Sequence, residues 1–64
     1  MVVGAMTFTF DHEGIHFRVS PHGDGLAVDR WCDGDAHHGP HWARLPELRP
    51  DAPAAVEMAR RSVA

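Results

Sequence analysis

Residues 6–31 read MTFTFDHEGIHFRVSPHGDGLAVDRW, and their alternation decides the fold. In MTFTF, Met6, Phe8 and Phe10 fall on one side and Thr7 and Thr9 on the other, the pattern of a strand with one buried face. DHEG at 11–14 puts acidic residues and a glycine where a backbone bend costs little. IHFRV then sets Ile15, Phe17 and Val19 against His16 and Arg18, which predicts a second strand antiparallel to the first. SPHGDG at 20–25 holds a proline and two glycines between alternating segments, a hairpin signal, and LAVDRW follows as a third strand. Leu26 and Val28 keep the apolar parity, while Ala27, Asp29 and Trp31 face the other way. Arg30 falls on the apolar parity, so either the strand ends at Asp29 or a bulge turns Trp31 toward the core.

Beyond this meander, CDGDAHHGP has the composition of a loop. Pro40 suits the first position of a single helical turn through HWARL, with Pro46 to close it, and Pro50 and Pro53 make LPELRP an extended connector. Asp51 is placed to cap a final helix that ends near Arg60 and Arg61, where cations favour the helix dipole. Its stripe of Ala52, Ala55, Val56, Ala59 and Val63 is expected to cover the face made by Phe8, Phe10, Ile15, Phe17, Val19, Leu26 and Val28. The predicted class is α+β: a three-stranded antiparallel meander (6–31), a His-rich loop (32–50) with a short helical turn, and one C-terminal helix (51–64). Residues 1–5 are read as a disordered lead-in to this single domain, with Met6 as an alternative start.

A chain of 64 residues buries only about 60% of the surface its unfolded form exposes. Small cores often recruit a disulfide, a metal or a partner, and a single cysteine excludes an internal disulfide. The formal net charge is −3, and every basic residue is arginine. This balance argues against a nonspecific nucleic-acid binder and against a polybasic membrane anchor. No segment approaches the roughly 20 apolar residues of a membrane span, and MVVGAM lacks the features of a signal peptide. The lone cysteine fits a reducing compartment, so a cytoplasmic protein is expected. Absence of lysine alongside abundant Ala, Asp, Gly, Pro and Arg suggests a GC-rich, bacterial coding bias.

The residues with chemistry cluster at 30–42, RWCDGDAHHGPHW. In an up–down–up meander the 11–14 turn and the start of this loop share one end of the sheet, so His12 can join the cluster. His22 lies at the other end, about 20 Å away at 3.3 Å per residue. Cys32 and His41, completed by His37 or His12, form an acceptable tetrahedral zinc set, although CxxC and HxxxH pairs are absent. The catalytic reading of the same residues makes Cys32 a nucleophile with His37 or His38 as base and Asp33 or Asp35 to orient it. A chain this short has little room for a shielding pocket, which favours a non-enzymatic role.

The run GDGLAVDRWCDGDAHHGPH, residues 23–41, resembles the strand and His-rich loop of TumE-type toxins of bacterial toxin–antitoxin pairs. The matching positions are Gly25, Arg30, Trp31, Asp33, His37 and His38, less than a third of the chain. Cys32 interrupts the aromatic–aspartate step, and the second histidine cluster of that family is absent. The resemblance implies nuclease-like action on RNA, with His37 and His38 as acid and base beside Asp33.

The solvent side of the predicted sheet carries Thr7, Thr9, His16, Arg18, Ala27, Asp29 and Trp31. Arg18 and Asp29 are expected to pair across strands, worth a few tenths of a kcal/mol when exposed. An exposed Trp31 beside Arg18 and His16 is a candidate hot spot for a protein partner. The bland alternative has Trp31 and Trp42 closing the two ends of a thin core. The first strand, TFTF, has no charge to discourage edge pairing, so a homodimer is the other route to a partner. The sequence therefore favours a small binding or regulatory protein working through a protein partner or as a homodimer. A zinc-binding module and a ribonuclease-type toxin follow as alternatives.

Overall fold

The computed structural model describes residues 7–63. Met6 as the first residue of strand one, and any lead-in at 1–5, lie outside that range. Strands β1 (Phe8–His12), β2 (Ile15–His22), β3 (Gly25–Cys32) and β4 (His41–Arg44) form one antiparallel sheet in chain order, and α1 (Ala52–Val63) follows. The α+β class stands as expected. The sheet has a fourth strand, however, and HWAR is that strand rather than a helical turn. The proline bracket at 40 and 46 encloses a length that suits a short strand as well as one helical turn. Pairing decides in favour of the strand: Trp42 lies opposite Trp31, Arg44 lies opposite Asp29, and the Leu45 N–H continues the ladder to the Val28 carbonyl at 2.8 Å.

Turn chemistry explains the register. Glu13 (φ 56°) and Gly14 (φ 79°) are both left-handed and form a two-residue loop, the geometry whose twist matches the flanking strands. The second turn is tighter than SPHGDG suggests, because β2 runs on through Pro21 to His22 and only Gly23 and Asp24 remain outside the ladder. Gly23 (φ 58°) at the first central position is the residue a II′ turn requires. Pro21 is tolerated in the strand because its partner Leu26 sends both backbone groups the other way, to Arg49, at 2.7 and 2.8 Å. At Gly25 that connector passes so close that an added Cβ would stand 2.9 Å from the Arg49 carbonyl oxygen.

One face of the sheet packs on α1. Phe17, Val19, Val28, Ala55 and Ala59 are fully buried, with Phe8, Phe10, Ile15, Leu26, Leu45, Met58 and Val63 packed around them. Ala55 and Ala59 are one turn apart, and their small side chains let the helix sit close to β2 and β3. Asp51 caps this helix by accepting from the Ala54 N–H at 3.0 Å. Arg30 sits on this face opposite Phe17, half-buried, and β3 continues past it to Cys32 in unbroken register with β4. Neither the early strand end nor the bulge expected there occurs, and Trp31 accordingly points away from the core.

A candidate interaction face on the open side of the sheet

Antiparallel register stacks outward-pointing side chains in rows across the strands. One row runs Thr9, Arg18, Asp29, Arg44; the next, two residues along, carries Asp11 and His16 on β1 and β2 and Trp31 and Trp42 on β3 and β4. Residues widely separated in the chain thus meet on the side opposite α1. Among the described residues, no helix or strand lies over this side.

Asp29 anchors the first row. Its side chain is 3% exposed, and its Oδ2 accepts from Arg18 Nε at 3.2 Å and Nη2 at 3.0 Å. The Oδ1 accepts from Arg44 Nε at 3.0 Å. Burial alone would push this carboxyl up, but hydrogen bonds from Arg44 and Arg18, with their positive charges, hold it below the usual carboxylate range. The expected Arg18–Asp29 pair therefore exists, but it is not an exposed pair worth a few tenths of a kcal/mol. The carboxylate is buried and shared, and a buried charge left without its partners is costly. Arg44 Nη1 also reaches His22 Nδ1 at 3.3 Å, which brings His22 to the Arg end of the face and away from the loop histidines.

The second row is aromatic. The Arg18 guanidinium lies 4.5 Å from the centroid of the Trp42 ring, Trp31 meets Trp42 edge-on at 5.2 Å, and His16 lies 5.5 Å from Trp42. Such cation–π and edge-to-face contacts each contribute about 0.5–1.5 kcal/mol. The Trp31 indole N–H donates to Asp33 Oδ1 at 3.0 Å, and His16 Nδ1 is hydrogen-bonded to Asp11. Trp31 and Trp42 do not close opposite ends of the core; they touch one another on the far side of the sheet. Arg18, His16 and Trp31, the three residues singled out for a partner, share this face with Trp42, Arg44 and Asp29. The contributions of Trp42 and Arg44 were hidden by the helical reading of HWARL, although the alternation of Trp42 and Arg44 with Ala43 and Leu45 is a strand signal.

The His-rich loop at 33–40 is organised by its own backbone. Asp35 Oδ1 accepts from the His37 and His38 N–H groups at 2.7 and 2.8 Å, and Asp35 N–H donates to the His38 carbonyl at 2.7 Å. Those backbone donors, first His37 and then His38, hold the Asp35 carboxyl below its usual range. Gly34 (φ 90°) closes the loop against the backbone of His38 and Gly39. Cys32 and His41 are direct cross-strand partners at the end of β3 and β4, and His41 Nδ1 is 2.8 Å from the Gly39 carbonyl oxygen. His12 is at the same pole on β1, opposite Ile15, but β2 lies between β1 and β3, so His12 and Cys32 are about 10 Å apart at two strand spacings. Among the described residues, no three His, Cys, Asp or Glu side chains are grouped as a metal ion would require. His37 and His38 lie in the exposed loop; the His38 ring Nδ1 is 3.3 Å from Asp35 Oδ1, while Asp33 is engaged with Trp31 instead.

No helix of the described residues is long and apolar enough to cross a membrane. No family model, curated protein or solved structure matches the chain.

Proposed function

We propose that this chain is a small non-enzymatic binding or regulatory protein that recognises a protein partner through the open face of its sheet. The observation that carries this reading is the Arg18–Asp29–Arg44 row set beside Trp42 and Trp31. Tryptophan and arginine are the residue types that dominate binding energy at protein interfaces. Here their side chains are already fixed by the buried carboxylate and by mutual stacking. Association then loses little side-chain freedom, a cost otherwise of about 0.5–1.5 kcal/mol for each immobilised side chain.

A photo-crosslinking residue at Thr9, in the same row as Arg18, tests the reading in cells of the source organism, with a control probe at Arg60 on α1. The expectation is a discrete adduct from Thr9 that disappears with Trp42→Ala, and none from Arg60. Native mass separates a second copy of this chain from a different partner. Absence of any Trp42-dependent adduct from Thr9 would sink the proposal.

The direct opposition of Cys32 and His41 favours zinc binding as a second reading, since it supplies two ligands from adjacent strands. A third from His37 or His12 requires the loop or turn to shift. Stoichiometric zinc in untagged protein, with a melt that collapses on chelation, supports that reading; an unchanged melt removes it.

A further inference from the structure

We propose that the partner presents an acidic peptide segment, its carboxylate taken by the outward N–H groups of Arg18 and Arg44 and a neighbouring apolar side chain laid against Trp31 and Trp42. This rests on the protein-binding reading above and names the chemistry of the partner.

Charge and donor geometry carry the inference. Two guanidiniums share one carboxylate, so the Arg18–Asp29–Arg44 row has an excess of positive charge on a chain whose formal balance is −3. Asp29 takes the inner N–H groups. Arg18 meets no other acceptor among the described residues, and Arg44 meets only His22, so both retain donors. Their side chains are 34% and 46% exposed, against 3% for the carboxylate beneath them. The pair is thus an anion receptor held open from below, and guanidinium is the group best matched to a carboxylate fork.

The neighbouring row limits what the anion can belong to. It lies about 7 Å away, two residues along the strand, and on β3 and β4 it offers half-buried indole surface. At that end sit the carboxylates of Asp11 and Asp33, bound to His16 and to the Trp31 indole. A polyanion with regularly spaced phosphates, as in RNA or DNA, would be repelled as it crossed them. A peptide with one carboxylate and an apolar side chain at that spacing meets positive charge and aromatic surface in the right order. The face sets arginine beside tryptophan, residue types enriched in protein interfaces.

The chain's two tryptophans both lie on this face, so their fluorescence reads occupancy directly. Three probes are titrated against the folded 64-residue protein: an acetylated and amidated octapeptide with a single glutamate and a leucine two residues along in a glycine–serine background, the same peptide with glutamine for glutamate, and octauridylate. The expectation is saturable binding of the glutamate peptide, weakened about tenfold by the glutamine exchange and by Arg44→Gln, and unchanged by Arg60→Gln. If Arg44→Gln does not fold, the Nε–H resonances of Arg18 and Arg44 in the wild-type protein decide. They must move with the glutamate peptide and stay with the glutamine peptide. Equal binding of the two peptides overturns the acidic partner while leaving a protein-binding face. Binding of octauridylate in preference to both overturns the acidic partner and the protein-binding reading together. Failure of all three probes overturns the acidic partner, and the crosslink from Thr9 decides the broader reading independently.

Discussion

The open face of the sheet and the 33–40 loop are built from overlapping residue types, histidine and aspartate above all, yet they are organised in opposite ways. On the open face, residues 18, 29 and the pair 42 and 44 come from three strands far apart in the chain and are brought together by register. In the loop, Asp35, His37 and His38 are neighbours in the chain and satisfy one another locally. Closeness in sequence made the loop the conspicuous feature; convergence in space makes the face the better candidate. The difference has a physical basis. A cross-strand cluster is held by the sheet's hydrogen bonds and core, so its side chains are fixed at no cost to a later ligand. A loop cluster depends on its own turn contacts, which rearrangement toward a ligand would break.

This contrast predicts unequal responses to mutation, and Asp29 should give the largest. Asp29→Ala removes the acceptor of the charge-assisted hydrogen bonds from Arg18 and Arg44, whose guanidiniums remain in reach of solvent, so a loss of about 2–3 kcal/mol in urea unfolding is expected. Its pH dependence sharpens the point. The folded-state carboxyl is held below its ordinary value of 3.8, so its contribution is fully present above that value. It is lost as pH falls through the lower folded-state value. The gap between wild type and Asp29→Ala should therefore be constant at neutral pH and narrow in the acid limb. A gap that widened as pH fell would contradict the shared-carboxylate account.

Gly34→Ala probes the loop by the same measure. At φ 90° an L-residue is strained, and the added Cβ would collide with the backbone of His38 and Gly39. The loop must shift, for about 1–2 kcal/mol, a typical cost of a forced backbone conformation. Asp33 ties this loop to the face through the Trp31 indole N–H, so a modest change in tryptophan emission is expected, far short of that of an unfolded chain. A Gly34→Ala protein with the emission of an unfolded chain would show that loop and face are one cooperative unit.

Most of the fold was legible because its signals are strictly periodic. Phe8, Phe10, Ile15, Phe17, Val19, Leu26 and Val28 alternate without error, and Asp51 begins the helix with a cap whose chemistry is unambiguous. The fourth strand was not legible as such, because HWAR is four residues long and lies between two prolines. That one misreading removed Arg44 and Trp42 from the face and left Arg18–Asp29 looking like a surface pair. Arg30 was the other obstacle: an arginine on the apolar parity suggests a bulge, whereas at the end of the sheet it remains half-buried in regular register.

A smaller effect is expected at the β1–β2 turn, at the same pole as the loop. Glu13 has a left-handed φ of 56° in a turn that favours asparagine or glycine at that position. Glu13→Asn should stabilise the protein by about 0.5–1 kcal/mol, read as a raised melting temperature. No change would mean that contacts of the Glu13 side chain offset its backbone strain.

The smallest effect should come from the residues that first drew notice. His37 and His38 are exposed, and Asp35 holds their backbone N–H groups rather than relying on their imidazoles for the turn. His37→Ala and His38→Ala keep those N–H donors, and each should change unfolding free energy by no more than about 0.5 kcal/mol. Asp35→Ala removes the acceptor of both and should be felt more than either histidine change. If instead a histidine variant destabilises the protein more than Asp35→Ala does, the imidazoles hold the loop. The pole containing Cys32 and His41 would then have to be reconsidered as a ligand site.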